Sequence, residues 1–378
     1  HMNDLVFYSL CVLLLASCGK ITDRPLDDPN DVAVNWTAAA DSSSQSLANG
    51  FWNSGGSYFN YNNSGNTDFH YWPQAHGLDV LVDAYSRTGN AVYKNEIDQW
   101  FTGVKIKNGN TFYNNFYDDM EWNALAMLRA YNATKDEKFK TAALDVWSNI
   151  QTGWNSTMNG GIAWKKDQLY YKNTPANAPA CILAARLYKQ FNGASDLEWS
   201  KKIYAWMKEH LFEAGTGFVY DGINRENNGA KDNWKFTYSQ GTFLGAALEL
   251  YNITGEKVYL NDAIKAADYA LNSNVNSNDR ILQSEGSGDG GLFKGIFVRY
   301  FTQLILCPGL EDGTRNRYVR FMEHNAKTLW NEGTNKTGVL FGPYWKTKPN
   351  AQTGLTEQLS GCMLMESMAL LKEKSVIK

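Results

Sequence analysis

Two kinds of helical stretch alternate along the chain. In the first, as in Ala124 to Ala130, Ala178 to Leu187 and Gly245 to Leu250, small and apolar residues fill nearly every position, which predicts helices buried on all sides. In the second, as in Glu137 to Ile150, Asp196 to His210, Tyr259 to Leu271 and Arg315 to Trp330, apolar residues recur at helical spacing with charges between them. That pattern predicts helices with one face in water. A short turn, often containing Thr-Gly or Gly, joins a buried helix to its amphipathic partner in "LVDAYSRTGNAVY", "LAMLRAYNATKDEKF", "LAARLYKQFNGASDLEW" and "GAALELYNITGEKVYL". Tyr85, Tyr131, Tyr188 and Tyr251 hold the same place in these four units, at spacings of 46, 57 and 63 residues. A fifth unit, "YFTQLILCPGLEDGTRNRYVRF", and a C-terminal helix from about Leu355 to Leu371 bring the count to six.

Six buried helices alternating with six amphipathic ones predict an all-α (α/α)6 barrel, an inner ring wrapped by an outer ring. A straight solenoid would need polar end caps, and none is readable. Strand signals are limited to "GGIAW" and "GFVYDG", which read as short hairpin pieces. In such a toroid all inner helices point the same way, so the loops preceding them gather on one face. These are the longest segments without helical pattern and are crowded with Asn, Gly, Trp and Tyr, for example "NSGNTDFHYWPQAH" and "KNGNTFYNNFYDDMEW". Long loops over a rigid ring form a cleft, where function concentrates.

Composition narrows what that cleft accepts. The net charge of -3, from 36 basic and 39 acidic residues without a dense basic run, gives no electrostatic footprint for nucleic acid or an anionic membrane surface. Thirteen Trp and 21 Tyr, many beside Asn and Gly, suit neutral sugars, whose C–H faces lie on aromatic rings while amides and carboxylates bond the hydroxyls. The five His, including His70 and His76, show no metal-ligand spacing, so neither metal nor cofactor is expected. Cys181, Cys307 and Cys362 are scattered within helical patterns and make no disulfide framework.

Within the loop set, Phe116-Tyr117-Asp118-Asp119-Met120-Glu121-Trp122 places two adjacent carboxylates among aromatic rings where an inner helix begins. Asp118-x-x-Glu121 also fits an N-cap with an acid three residues on, the structural alternative. Retaining glycosidases need two carboxyls about 5 Å apart, one to attack and one to protonate the leaving oxygen. The helix dipole is expected to keep one carboxylate ionised while the neighbouring like charge raises the other. Trp72, His76, Trp122, Trp164, Tyr238, Gln240, Phe293 and Lys294 fall at or near inner-helix starts and are candidates to line sugar subsites. Asp289 in "GSGDGG" is expected on a tight turn near the cleft. Asp79 and Asp83, one turn apart inside a helix, read as acids bonded to neighbouring helices.

"YDDMEWNALAMLRAY", "WPQAH", "GGIAW", "NTPANAP", "YSQGTFLGAALELYNITGEKVYL" and "FKGIFVRY" together resemble glycoside hydrolase family 76, the bacterial endo-α-1,6-mannanases, over most of the chain after about residue 35. The resemblance implies an (α/α)6 barrel and a retaining mechanism on α-1,6-linked mannan, with Asp118 as nucleophile and Asp119 as acid/base. Fungal relatives imply a transglycosidase alternative. A surface glycan-binding lipoprotein, or an (α/α)6 enzyme acting on uronates, are the other readings. The last would want a basic cleft, and the loops offer chiefly Lys165, Lys166, Lys172, Arg225, Lys231 and Lys235.

At the N-terminus, an apolar run from Leu5 ends in Leu15-Ala16-Ser17-Cys18, the pattern at which a bacterial lipoprotein signal is cut. The expected organisation is a signal over residues 1–18, a flexible Asp- and Pro-rich tether over 19–34, and one catalytic domain over 35–378. Membrane contact is then expected only through a lipid on Cys18, with the protein monomeric at the cell envelope, outer-membrane or periplasmic; a plain secreted protein is the alternative.

Overall fold

The computed structural model describes residues 32–378, so the expected signal and all but the end of the tether lie outside the described residues. Twelve helices make up most of the described chain: α1 Trp36–Gly50, α2 Tyr71–Thr88, α3 Ala91–Lys107, α4 Tyr117–Thr134, α5 Glu137–Gln151, α6 Thr174–Phe191, α7 Ala194–His210, α8 Thr237–Thr254, α9 Lys257–Ser273, α10 Phe293–Ile305, α11 Asp312–Asn331 and α12 Leu355–Glu373. The even-numbered helices pack each against the next, and α12 closes on α2, forming the inner ring of an (α/α)6 barrel. The odd-numbered helices lie outside, each beside its inner neighbour, with α1 packed on α12. Every residue of α8 from Ser239 to Leu250 is buried, as the apolar pattern predicts. Glycines let inner helices approach closely: a Cβ on Gly241 would lie 2.6 Å from the Phe297 Cα of α10.

The repeated tyrosines have a structural cause. Gly89, Lys135, Asn192 and Gly255 adopt left-handed backbone at the ends of α2, α4, α6 and α8. Each donates its N–H to the carbonyl of Tyr85, Tyr131, Tyr188 or Tyr251, at 2.7–2.9 Å. This is the αL stop of a helix, and it fixes the tight return to the outer ring.

At the opposite end the returning chain forms short hairpins. Strands β1 Trp52–Asn53 and β2 Tyr58–Phe59 pair before α2, β5 Phe212–Glu213 and β6 Phe218–Val219 before α8, and β9 Thr334–Asn335 and β10 Leu340–Phe341 before α12. Before α6, β3 Ala163–Lys165 and β4 Gln168–Asn173 join β7 Gly222–Ile223 and β8 Lys231–Asp232 in a four-stranded sheet ordered β3-β4-β7-β8. The "GFVYDG" segment is therefore divided between two sheets.

Each of these hairpins is clamped by an amide at the fourth residue of the following inner helix. Gln74 accepts from Phe59 N and donates to Phe59 O; Asn177 does the same with Ile162. Gln240 accepts from Val219 N and donates to Gly217 O and Ala266 O. Gln358 accepts from Phe341 N and donates to Val339 O. A buried amide that satisfies both a strand N–H and a carbonyl pins the loop to the ring without leaving an orphaned polar group. No helix among the described residues is long and apolar enough to cross a membrane.

Candidate active site

Helix α4 begins at Tyr117 with Phe116 in the cap position, so Asp118 and Asp119 lie in its first turn and neither is the N-cap. The capping-box reading of Asp118 and Glu121 is thereby corrected. Strand β3 holds this start in place: Phe116 bridges Lys165, and Lys166 N donates to Asn115 O at 2.8 Å. The same strand carries Trp164 to the acids. Its indole Nε1 donates to Asp118 Oδ2 at 3.2 Å, and the Asp119 N–H donates to Asp118 Oδ1 at 3.0 Å.

Withdrawal from water dominates the acidity of both carboxyls, and the other charges acting on them are carboxylates. Burial pushes Asp118 up to about 7, against the two hydrogen bonds that favour its charged form. Asp119 is raised well above the ordinary range, by burial first and then by the charges of Asp118 and Asp289. The helix dipole does not bring either carboxyl below the ordinary range. Both are elevated, Asp118 being held lower because it receives the indole and amide donors. Asp289 stands on a 3₁₀ turn, Gly288–Leu292, with its Oδ1 accepting from Trp72 Nε1 at 2.8 Å.

The candidate subsite residues divide into two groups. Trp72 lies 6.3 Å from Trp122 and 6.4 Å from Phe293 between ring centroids, and Phe293 stacks on Tyr238 at 3.8 Å with an interplanar angle of 2°. These four rings form a continuous aromatic arc, tied to Asp289 through Trp72, while Trp164 bonds Asp118 directly. His76 underpins that arc. It is buried, its ring sits 5.5 Å from Trp72 and 5.2 Å from Trp122, and burial lowers its pKa to about 4, which keeps it neutral near pH 7.

Gln240 and Lys294 are corrections. Gln240 is the buried hairpin clamp described above, with its amide spent on backbone groups. Lys294 is equally buried; its Nζ donates to Gln283 O and Pro343 O and lies 4.8 Å from the Trp345 ring centroid. Both brace loops, Gln240 with its whole amide and Lys294 with two of its three ammonium N–H groups.

Two further acids carry little signal in the sequence pattern. Asp221, between Tyr220 and Gly222, is buried and pushed up to about 6, by burial first, with Arg225 opposing; the Tyr171, Tyr238 and Arg225 donors approach it only to 3.4 Å. Glu285 accepts from Thr237 N at 2.9 Å and from Thr237 Oγ1, securing the start of α8. A lone acid in an aromatic loop is the only signal Asp221 offered. Two of the basic loop residues are engaged internally. Lys172 is buried against the carbonyls of Asn155, Gly160 and Gly161, and Arg225 pairs with Asp232 at 2.9 Å. Among the described residues no group of three or more His, Cys, Asp or Glu is placed to hold a metal ion.

The sequence model of glycosyl hydrolase family 76 matches residues 35–378. The chain belongs to glycosyl hydrolase family 76. Among solved family 76 structures, an α-1,6-mannanase from Salegentibacter sp. HEL1_6 is 43% identical, with a TM-score of 0.86 over 89% of this chain and 100% of that one. An inactive variant of that enzyme, with two aspartates replaced by alanine and α-1,6-mannotetrose bound, is 42% identical over the same shares, also with a TM-score of 0.86. The mannan endo-1,6-α-mannosidase DCW1 of Saccharomyces cerevisiae is 25% identical over 343 residues, 82% of this chain and 75% of its own length. DCW1 of Candida albicans is 27% identical over 278 residues, 68% of this chain, and the match spans 62% of that protein's length.

Proposed function

We propose that this family 76 chain is an endo-α-1,6-mannanase acting with retention on the neutral backbone of yeast-type or mycobacterial-type mannans. The observation that carries the reading is the pair of adjacent carboxyls, both raised by burial, one braced by an indole and an amide and the other not. Asp118, the more acidic, attacks the anomeric carbon as carboxylate. Asp119 gives its proton to the departing glycosidic oxygen as that C–O bond breaks, leaving a glycosyl ester on Asp118. Asp119, now ionised, takes a proton from water, whose oxygen attacks the anomeric carbon and releases Asp118. The result is retained configuration and both acids restored.

The inactive relative supports the assignment, since its variant replaces two consecutive aspartates. Asp118-Asp119 is the one adjacent aspartate pair in residues 35–378 of this sequence. A cleft whose acids include Asp118, Asp119, Asp221 and Asp289, and whose Lys172 and Arg225 are engaged internally, disfavours uronate polymers and suits an uncharged glycan. The partly exposed rings of Trp72, Trp164 and Tyr238 act as sugar platforms in this reading, with the buried Trp122 and Phe293 packed behind them. The signal-like N-terminus supports a lipid anchor on Cys18 at the cell envelope.

The test is to digest debranched α-1,6-mannan and follow the first products by proton NMR. New reducing ends of α-configuration from internal cleavage support the proposal. Binding without cleavage, or β-configured first products, contradicts it.

A further inference from the structure

A pocket of about 300 Å³ opens on the loop face beyond Asp289. Three loops wall it: Tyr61 and Asn62 before α2, Ser287 and Gly288 before α10, and the segment from Pro343 into the start of α12. They are laced together. Thr356 Oγ1 donates to Gly288 O at 2.6 Å, Leu355 N donates to Tyr61 O at 2.8 Å, and Asn62 bridges Gly354. Asn63 adds two bonds, accepting from Thr353 N and donating to Ala351 O, each 2.9 Å. The concavity is thus preformed by hydrogen bonds between loops distant in sequence.

Its chemistry is that of a sugar site. Tyr61, Pro343 and Pro349 supply apolar surface, and the Gln352 amide, the Ser287 hydroxyl and the Asn62 Nδ2 supply polar groups, while the Thr353 and Thr356 hydroxyls are donated to Phe341 O and Gly288 O and Asn62 Oδ1 accepts from Ser64 N and Asn66 N. Glu357 is the one charged side chain of the lining, so no cation recommends an anionic ligand. The Glu357 carboxylate packs against Gly354, where a Cβ would fall 2.1 Å from Glu357 Oε2. The volume lies at the small end for ligand sites, the scale of a single sugar ring with its hydration. Continuity with the cleft is direct, because Gly288 lines the pocket and its neighbour Asp289 bonds Trp72 at the edge of the aromatic arc.

We propose that this pocket binds one neutral hexopyranosyl unit of the glycan whose scissile bond lies over Asp118 and Asp119, at a distance that makes chain length or branching a determinant of affinity. The identity of the glycan rests on the proposed mannanase function. The pocket's role as a remote sugar site rests on its own geometry. Its source is either a further backbone unit or a side branch.

The test uses the full chain carrying Asp118→Asn and Asp119→Asn, titrated by calorimetry with linear α-1,6-mannooligosaccharides of increasing length and with the same chains bearing one α-1,2-linked branch. We expect affinity to step up about tenfold at the unit that reaches the pocket. Ser287→Trp, at an exposed position where the indole fills the pocket, removes that step and leaves shorter oligosaccharides unaffected; Tyr61→Ala reduces it. A step in the linear series identifies a backbone unit, and one seen only with the branch identifies a side chain. No step in either series, or a Ser287→Trp loss equal at all lengths, overturns the pocket. Failure of the wild-type protein to cut α-1,6-mannan removes the functional reading instead, while the titration still judges the pocket.

Discussion

Two acidic pairs sit on neighbouring inner helices and have opposite fates. Asp79 and Asp83 on α2 meet Arg129 and Arg299: Arg129 Nη1 lies 2.8 Å from Asp79 Oδ1 and its Nη2 2.5 Å from Asp83 Oδ1, while Arg299 Nη2 lies 2.8 Å from Asp83 Oδ2. The guanidinium groups overcome burial and hold Asp83 below the usual carboxylate range. Asp118 and Asp119 on α4 meet tryptophan, tyrosine and a third carboxylate, and their pKa values rise. Similar side chains in one barrel become a structural ion cluster or a reactive pair according to whether arginine or indole stands opposite. The cluster belongs to the barrel's interior and the pair to its cleft.

The comparison can be broken at either end. The largest effect expected is catalytic. Asp118→Asn or Asp119→Asn lowers kcat on linear mannan by about 10⁴-fold or more, whereas Asp83→Asn leaves per-molecule activity of the folded protein near wild type. Next comes stability at the ion cluster: Arg129→Met leaves acids without their shared cation and costs about 3 kcal/mol by urea unfolding.

The reactive pair should behave in the opposite way. A carboxyl whose folded pKa is raised is relatively favourable at low pH and becomes a liability as pH climbs from its unfolded value near 4 to about 7. Asp118→Asn should therefore stabilise the fold at pH 8 by about 2 kcal/mol, allowing for partial exposure to the cleft, and the gain should vanish by about pH 4. Thermal unfolding at the two pH values checks the sign.

A smaller shift tests the indole. Trp164→Phe removes one donor to Asp118, so the acid limb of kcat/KM should move up by about one pH unit. Asp289→Asn removes a carboxylate charge felt by both acids and keeps an acceptor for Trp72, so both limbs should move down by about half a unit. The pH profiles of the two variants should thus shift in opposite directions.

The ring was legible because burial on all sides leaves a compositional mark that small and apolar residues cannot hide. The repeated tyrosines were legible as a repeat, although their cause, an αL stop donating to each tyrosine carbonyl, is a backbone feature. Helix α1 gave little pattern because its inward face includes Ser43 and Ser44, the latter bonding Glu366 of α12 at 2.7 Å. The amides of "WPQ", "YSQ" and "TEQ" recur at the same helix position, but polarity near a cleft does not reveal that the Gln240 amide is already satisfied by backbone groups. Asp118 and Asp119 were legible by their aromatic flanks. Asp221 was not, since its neighbourhood of Tyr171, Tyr238 and Arg225 is assembled from three separate segments.

The central claim is that Asp118 and Asp119 share a buried site, neither in an ion pair among the described residues, and titrate well above ordinary aspartates. Carbon-13 NMR of carboxyl-labelled aspartate, in the wild type and in the two single Asn variants, measures this directly. The account predicts a signal that titrates near pH 7 and is lost in Asp118→Asn, and a second that titrates higher and is lost in Asp119→Asn, each variant moving the survivor. Two independent titrations near pH 4 would contradict it.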